Sequence, residues 1–235
     1  MEKTKIIGVI KVIRPQFIFA YFIVAFGGLI IGLAQGFSIN LSLAIFSYIA
    51  IGFGVVGINC RDEAYDWEAG YDIEYGGMGV IRDGIFKAKT LKRWGIGLNL
   101  VAITLFLIQT LMFPLLIIVF IPGLIIMIGA NYFTEKISLG HELIPAFSFW
   151  SVLMWTYLGQ GWILTIPTIL FSIFAYLISL SFIAYQDIGD YEADKKSGKK
   201  TLTVKLGLDR IGMLSIFIGL MAFVVLYIAI LSLTL

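Results

Sequence analysis

Asp62 and Asp66 stand four residues apart, and so do Asp190 and Asp194. On a helix that spacing stacks the two carboxylates one turn apart on one face, where like charges repel by on the order of a few tenths of a kcal/mol. A chain that accepts this cost twice offers oxygen ligands to a cation. Asp187, three residues before Asp190, and Asn59, three before Asp62, extend the two clusters. Oxygen donors without His or Cys suit a hard ion, Mg²⁺ rather than zinc. Magnesium commonly bridges one or two carboxylates to substrate phosphates, and basic residues stand close by. Arg82, Lys87, Lys89 and Lys92 follow the first cluster; Lys195, Lys196, Lys199 and Lys200 follow the second. Acid and base together point to a metal–diphosphate site. Asp62, Asp66, Asp190 and Asp194 are its expected metal ligands and catalytic carboxylates, with Asp72 and Asp187 of second rank. Arg82, Lys195 and Lys199 are the candidate phosphate contacts. For any single lysine, ordinary loop ion pairing or attraction to lipid headgroups explains its presence equally well.

These carboxylates need elements to bring them together, and composition says which. The chain of 235 residues is 60% hydrophobic and 14% charged, with mean hydropathy +0.97. That is too apolar for a soluble domain of this length. Seven runs approach the roughly 20 residues needed to cross a hydrocarbon core as a helix: 17–35, 41–59, 95–112, 115–132, 144–161, 163–185 and 212–233. The expected fold is all-α, one polytopic bundle of about seven transmembrane helices around a central cavity.

Alternating sides along these spans puts all 17 Lys and Arg on one face of the membrane. The positive-inside bias makes that face cytoplasmic, with the N-terminus inside and the C-terminus outside a cell membrane. All 15 Asp and Glu fall on the same face, which that bias does not require. Soluble loops carry charge anyway, but the repeated four-residue spacing is not explained by that. A long first span and no small-residue cleavage pattern argue against a removed signal peptide. The lone Cys60 excludes an internal disulfide.

Glu142 and Tyr132 flank the cytoplasmic mouth between the fourth and fifth spans and are candidates to place an acceptor; helix capping and interfacial anchoring are their ordinary alternatives. His141, the single histidine, fits a surface loop better than a catalytic base. No Asp or Glu lies mid-span, which disfavours a transporter of a cation or small metabolite, the main rival from another class. Nothing points to nucleic acid, and the sequence is silent on oligomeric state.

The motifs resemble those of the UbiA superfamily of membrane prenyltransferases, which carries two Asp-rich motifs after its second and sixth helices. Here they read Asp-Glu-Ala-Tyr-Asp-Trp-Glu-Ala-Gly-Tyr-Asp over 62–72 and Asp-Ile-Gly-Asp-Tyr-Glu-Ala-Asp-Lys-Lys-Ser-Gly-Lys-Lys-Thr-Leu over 187–202. The first is most similar to the MenA group, which prenylates 1,4-dihydroxy-2-naphthoate. Asp66-Trp67-Glu68-Ala69-Gly70-Tyr71-Asp72 is followed by Gly76-Gly77-Met78-Gly79-Val80-Ile81, and Arg14-Pro15 and Gly140-His141-Glu142 fit the same pattern. Two features depart. The family opens its first motif with Asn-Asp, where this chain has Asp62-Glu63. The family also usually has nine membrane helices, so 1–235 reads as a single domain lacking the last helical hairpin.

The resemblance implies Mg²⁺-dependent transfer of a polyprenyl group from its diphosphate to an aromatic acceptor, 1,4-dihydroxy-2-naphthoate, in menaquinone biosynthesis. A glyceryl phosphate ether lipid or another quinone precursor is the alternative acceptor, and intramembrane terpene cyclisation a further rival. Partners are then the donor diphosphate, an aromatic or lipid acceptor, and membrane lipid. All of this requires the ends that carry Asp66 and Asp190 to share one cavity.

Overall fold

The computed structural model describes the backbone of residues 2–71, 77–136, 140–198 and 201–234, with side chains throughout these except at 2, 3, 130–136, 190, 193 and 197. The described residues are helical with no strand. A short α1 (Glu2–Ile13) leads into α2 (Pro15–Ala34), α3 (Leu41–Ala69) and α4 (Ala88–Met112). A single 3₁₀ turn, Pro114–Leu116, then enters α5 (Ile117–Lys136), followed by α6 (Gly140–Leu158), α7 (Ile166–Ser197), a one-turn α8 (Leu202–Leu206) and α9 (Leu208–Ser232).

Local chemistry sets the helix ends. Asn40, Thr165 and Thr201 each cap a helix by accepting the backbone N–H three residues on, which satisfies one of the orphan donors of a first turn. Gly70 and Gly198 stop α3 and α7 with φ of 84° and 76°, the left-handed region that glycine enters without a Cβ penalty. Arg14, between α1 and α2, is the one non-glycine residue with positive φ among those described (51°). Proline at 15 disfavours the right-handed helical region there, so α1 breaks from α2 rather than continuing it.

The seven expected spans correspond to the seven long helices α2 to α7 and α9. Among the described residues, five stretches are long and apolar enough to cross a membrane: Thr4–Ala34, Leu41–Ala69, Ala88–Met112, Ile166–Gly189 and Leu208–Ser232. The apolar run of α5, Pro114–Gly129, is shorter. Three helices outrun their sequence-based bounds by seven residues or more: α3 runs ten residues past 59, α7 twelve past 185, and α4 begins seven before 95. The residues read as loops bearing the Asp-rich motifs are therefore largely helix. Their apolar pattern ends where the bilayer ends, but the backbone hydrogen bonding does not.

Small residues let the helices approach closely, as lipid-embedded packing requires. A Cβ on Gly57 of α3 would fall 2.0 Å from Asn99 Oδ1 on α4, and one on Gly95 would fall 2.6 Å from the Gly57 carbonyl. Gly28 brings α2 against the Leu153 carbonyl and Thr156 of α6, and Thr156 Oγ1 donates to the Ala25 carbonyl at 2.8 Å. A polar network crosses the middle of the bundle. Gln109 donates to Ser47 Oγ (2.8 Å) and to the Gly159 carbonyl (3.1 Å), and accepts from Trp155 Nε1 (2.7 Å).

Candidate functional site

One end of the bundle gathers the chemistry. At the other end, Thr165 and Thr168 at the start of α7 bond Gln35 beyond α2, and Asn40 N–H donates to Gln160. The two ends of each helix are thereby assigned, and the starts of α2 and α6 lie level with the ends of α3 and α7.

At the end of α3, Arg14 holds two carboxylates. Its Nη1 is 3.3 Å from Asp62 Oδ2 and its Nη2 is 3.4 Å from Glu63 Oε2. Glu63 is 3% exposed and accepts Met78 N–H at 3.0 Å, which seats the glycine-rich segment on α3. Gly77 and Gly79 in that segment take φ of 62° and 70°. Asn59 Nδ2 donates to the Ile13 carbonyl at 3.0 Å, so this proposed extension of the first cluster ties down the end of α1. Asp66 lies one turn beyond Asp62 on the same face of α3, partly exposed. Arg61, on another face, reaches the carbonyls of Met127 and Ile128 on α5.

Along α7, Asp187 is 4% exposed, with its Oδ2 3.2 Å from His141 Nδ1. His141 is therefore in the first turn of α6, half-buried and partnered, and not in the surface loop expected. Glu142 beside it is fully buried and accepts Leu202 N–H at the start of α8. It thereby caps the neighbouring helix α8. Burial, and then the proximity of Asp187, push its carboxyl up to about 6 from an ordinary 4.5, against the Leu202 hydrogen bond, His141 and its own backbone N–H, which pull it down. Asp194 is buried at the end of the same helix, and Lys195 stacks over Tyr191 at 5.5 Å.

The remaining expected residues are placed less centrally or fall outside what is described. Arg82 is exposed beside Asp83, 3.7 Å away, and is not brought into contact with Asp62 or Asp194. Asp72 and Lys199 lie outside the described residues, as do the side chains of Asp190 and Tyr132, whose backbones are in α7 and α5. Sequence reasoning passed over Arg14 as a binding residue and treated Glu63 only as a departure. A signal was available: an acid stands three residues before Asp66 and again before Asp190, and both, Glu63 and Asp187, are buried with a partner from the start of the preceding helix, Arg14 and His141.

Below the carboxylates lies an apolar cavity of about 110 Å³, lined among others by Tyr21 of α2, Ile51, Val55 and Asn59 of α3, Phe106 of α4, Met127 of α5 and Trp155 of α6. Asn59 is its highest residue on α3, so Asp62 and Asp66 follow about 5 and 10 Å further along the axis. Tyr21 stacks on Phe149 of α6 at 4.4 Å. Arg14 lies seven residues before Tyr21, and His141 eight before Phe149, so both stand roughly 10–12 Å above that stack.

The chain matches the model of the UbiA prenyltransferase family over residues 20–235. Among solved structures it is similar to a UbiA homolog from Archaeoglobus fulgidus bound to GPP and Mg²⁺, at TM-score 0.72 and 16% identity, covering 96% of this chain and 78% of that one. A UbiA homolog from Archaeoglobus fulgidus bound to DMAPP and Mg²⁺ matches at TM-score 0.68 and 15% identity, covering 95% and 78%. A digeranylgeranylglyceryl phosphate synthase matches at TM-score 0.66 and 19% identity, covering 96% and 76%. At these identities the structural matches speak to fold. No curated protein sequence matches the chain. The family match spans both carboxylate-bearing helices and the cavity between the helix ends, and on that match the chain belongs to the UbiA prenyltransferase family.

Proposed function

We propose that this protein transfers a prenyl group from a prenyl diphosphate to 1,4-dihydroxy-2-naphthoate, with Asp62, Asp66, Asp190 and Asp194 holding Mg²⁺ against the diphosphate. The observation that carries the reading is vertical order: an apolar slot for a hydrocarbon tail ends at Asn59, and paired carboxylates begin one turn above it. An amphiphile with an apolar tail and an anionic head fits that order, as do the two diphosphate ligands named for the Archaeoglobus fulgidus homolog.

The donor set suits magnesium: it is all oxygen, and Asp62 and Asp66 remain partly exposed at the mouth. Bound there, Mg²⁺ would neutralise the leaving diphosphate as the allylic C–O bond ionises. The protein's own groups do the rest. Arg14 fixes Asp62 and balances the charge of Glu63. Lys195 and Lys199, in and just beyond the last turn of α7, are the proposed outer phosphate contacts. Tyr21, Phe106, Phe120 and Trp155 line the slot with aromatic faces and exclude water, which would otherwise capture the allylic cation. The naphthoate acceptor is favoured by the Asp66–Asp72 run, the Gly76–Ile81 segment and Gly140-His141-Glu142. Positive charge on the carboxylate face makes that face cytoplasmic in this reading.

Purified protein with labelled geranylgeranyl diphosphate, Mg²⁺, and either the naphthoate or glyceryl phosphate acceptor tests the scheme. Naphthoate-dependent diphosphate release is expected, falling by about 10²–10³-fold in Asp66→Asn and in Asp190→Asn. Release that is undiminished in either variant overturns the ligand assignment; transfer only to glyceryl phosphate overturns the acceptor.

A further inference from the structure

The cluster at the start of α6 includes Asp187 and Glu142, second-rank candidates in the sequence, but the four-aspartate diphosphate scheme proposed above does not need it. His141, Glu142 and Asp187 each offer a ligand atom, and these atoms lie within 4.8 Å of one another. Glu142 and Asp187 are both buried, and among the described residues no lysine or arginine pairs with either; the single imidazole stands between two carboxylates. One oxygen of Glu142 accepts Leu202 N–H. The other, Oε2, is enclosed by protein and has no hydrogen-bond partner among the described residues. Buried polar groups are nearly always satisfied, and buried charges are paired or bind metal. An enclosed carboxylate oxygen left over beside a second carboxylate and an imidazole is short of a positive charge, not of a donor alone.

We propose that His141, Glu142 and Asp187 form a binding site for a transition-metal dication of the zinc or manganese class, distinct from the all-oxygen aspartate ligands. Bonds of about 2.0–2.2 Å to such an ion put ligand atoms roughly 3–3.5 Å apart, and His141 Nδ1 already lies 3.2 Å from Asp187 Oδ2. One nitrogen and two carboxylates favour a borderline ion over magnesium, which prefers oxygen. The ion would be structural. It ties the first turn of α6 to α7 and, through the second oxygen of Glu142, to the start of α8, so that the helix carrying Asp190 and Asp194 is fixed at the mouth.

Because His141 is the only histidine, the test is unusually clean. Protein without a histidine tag is loaded with Mn²⁺, and imidazole nitrogen coupling to the ion is read by pulsed electron paramagnetic resonance. Coupling is expected in the wild type and in Asp66→Asn/Asp190→Asn, and is expected to vanish in His141→Gln and in Glu142→Gln while each variant keeps its helical circular dichroism. Zn²⁺ should compete the signal away and raise the unfolding temperature of the wild type and of Asp66→Asn/Asp190→Asn, but not that of His141→Gln or Glu142→Gln. Absence of nitrogen coupling at saturating Mn²⁺, or its persistence in His141→Gln, overturns the proposal. Lost prenyl transfer with the coupling intact bears on the aspartate scheme alone.

Discussion

Two buried acids near the mouth, Glu63 and Glu142, are accommodated in different ways. Glu63 depends on Arg14 and Met78 N–H. Removing Arg14 leaves that carboxylate enclosed and short of its cation, which costs about 3–5 kcal/mol when one partner of a buried pair is deleted. Arg14→Ala should therefore lower the denaturation midpoint in detergent markedly, and adding Glu63→Gln should recover part of the loss; additive effects of the two changes would show that the pair is not coupled. Glu142 makes a different prediction. Its carboxyl titrates near 6 in the fold against 4.5 unfolded, so the folded state holds the proton more tightly. That contribution to stability is fully present below pH 4.5 and is lost as pH rises through 6. In chelator, the stability of wild type relative to Glu142→Gln should fall by about 2 kcal/mol between pH 4 and pH 7. A pH-independent difference between the two would show that Glu142 is not shifted.

Among the elements, the pairing of α3 with α4 depends on absent side chains. A methyl on Gly57 or Gly95 meets Asn99 or backbone within van der Waals distance, so Gly95→Val should cost about 1–3 kcal/mol by overpacking, read as a lower unfolding temperature. The same helix pair shares the Gln109 network. Gln109→Leu strands the indole N–H of Trp155 and the hydroxyl of Ser47 in the bundle interior, where an unmade bond costs about 1–3 kcal/mol. Trp155 also lines the cavity, so this variant should broaden the range of prenyl chain lengths accepted as well as destabilise the fold. An unchanged chain-length profile would mean that Trp155 keeps its place without Gln109.

For the whole molecule, the distribution of charge predicts orientation. In a Cys60→Ala background, Ser38→Cys at the turn between α2 and α3 should react with an impermeant maleimide in intact cells, and Lys89→Cys at the start of α4 only after permeabilisation. Both positions are exposed. The reverse pattern would invert the topology and put the aspartates outside.

Hydropathy and charge sufficed to determine the all-helical class, the seven apolar segments and the face that carries the acids, because each follows from transferring individual side chains between water and hydrocarbon. Spacing alone paired Asp62 with Asp66 and Asp190 with Asp194, since a helix repeats every 3.6 residues whatever surrounds it. Which groups meet across helices was decided only by tertiary structure. Asn59 turns to the Ile13 carbonyl, Arg14 to Asp62 and Glu63, and His141 to Asp187. Those partners are 46, 48, 49 and 46 residues apart in the chain, and their meeting depends on helix register and on glycines that set helix spacing, neither of which a local pattern records.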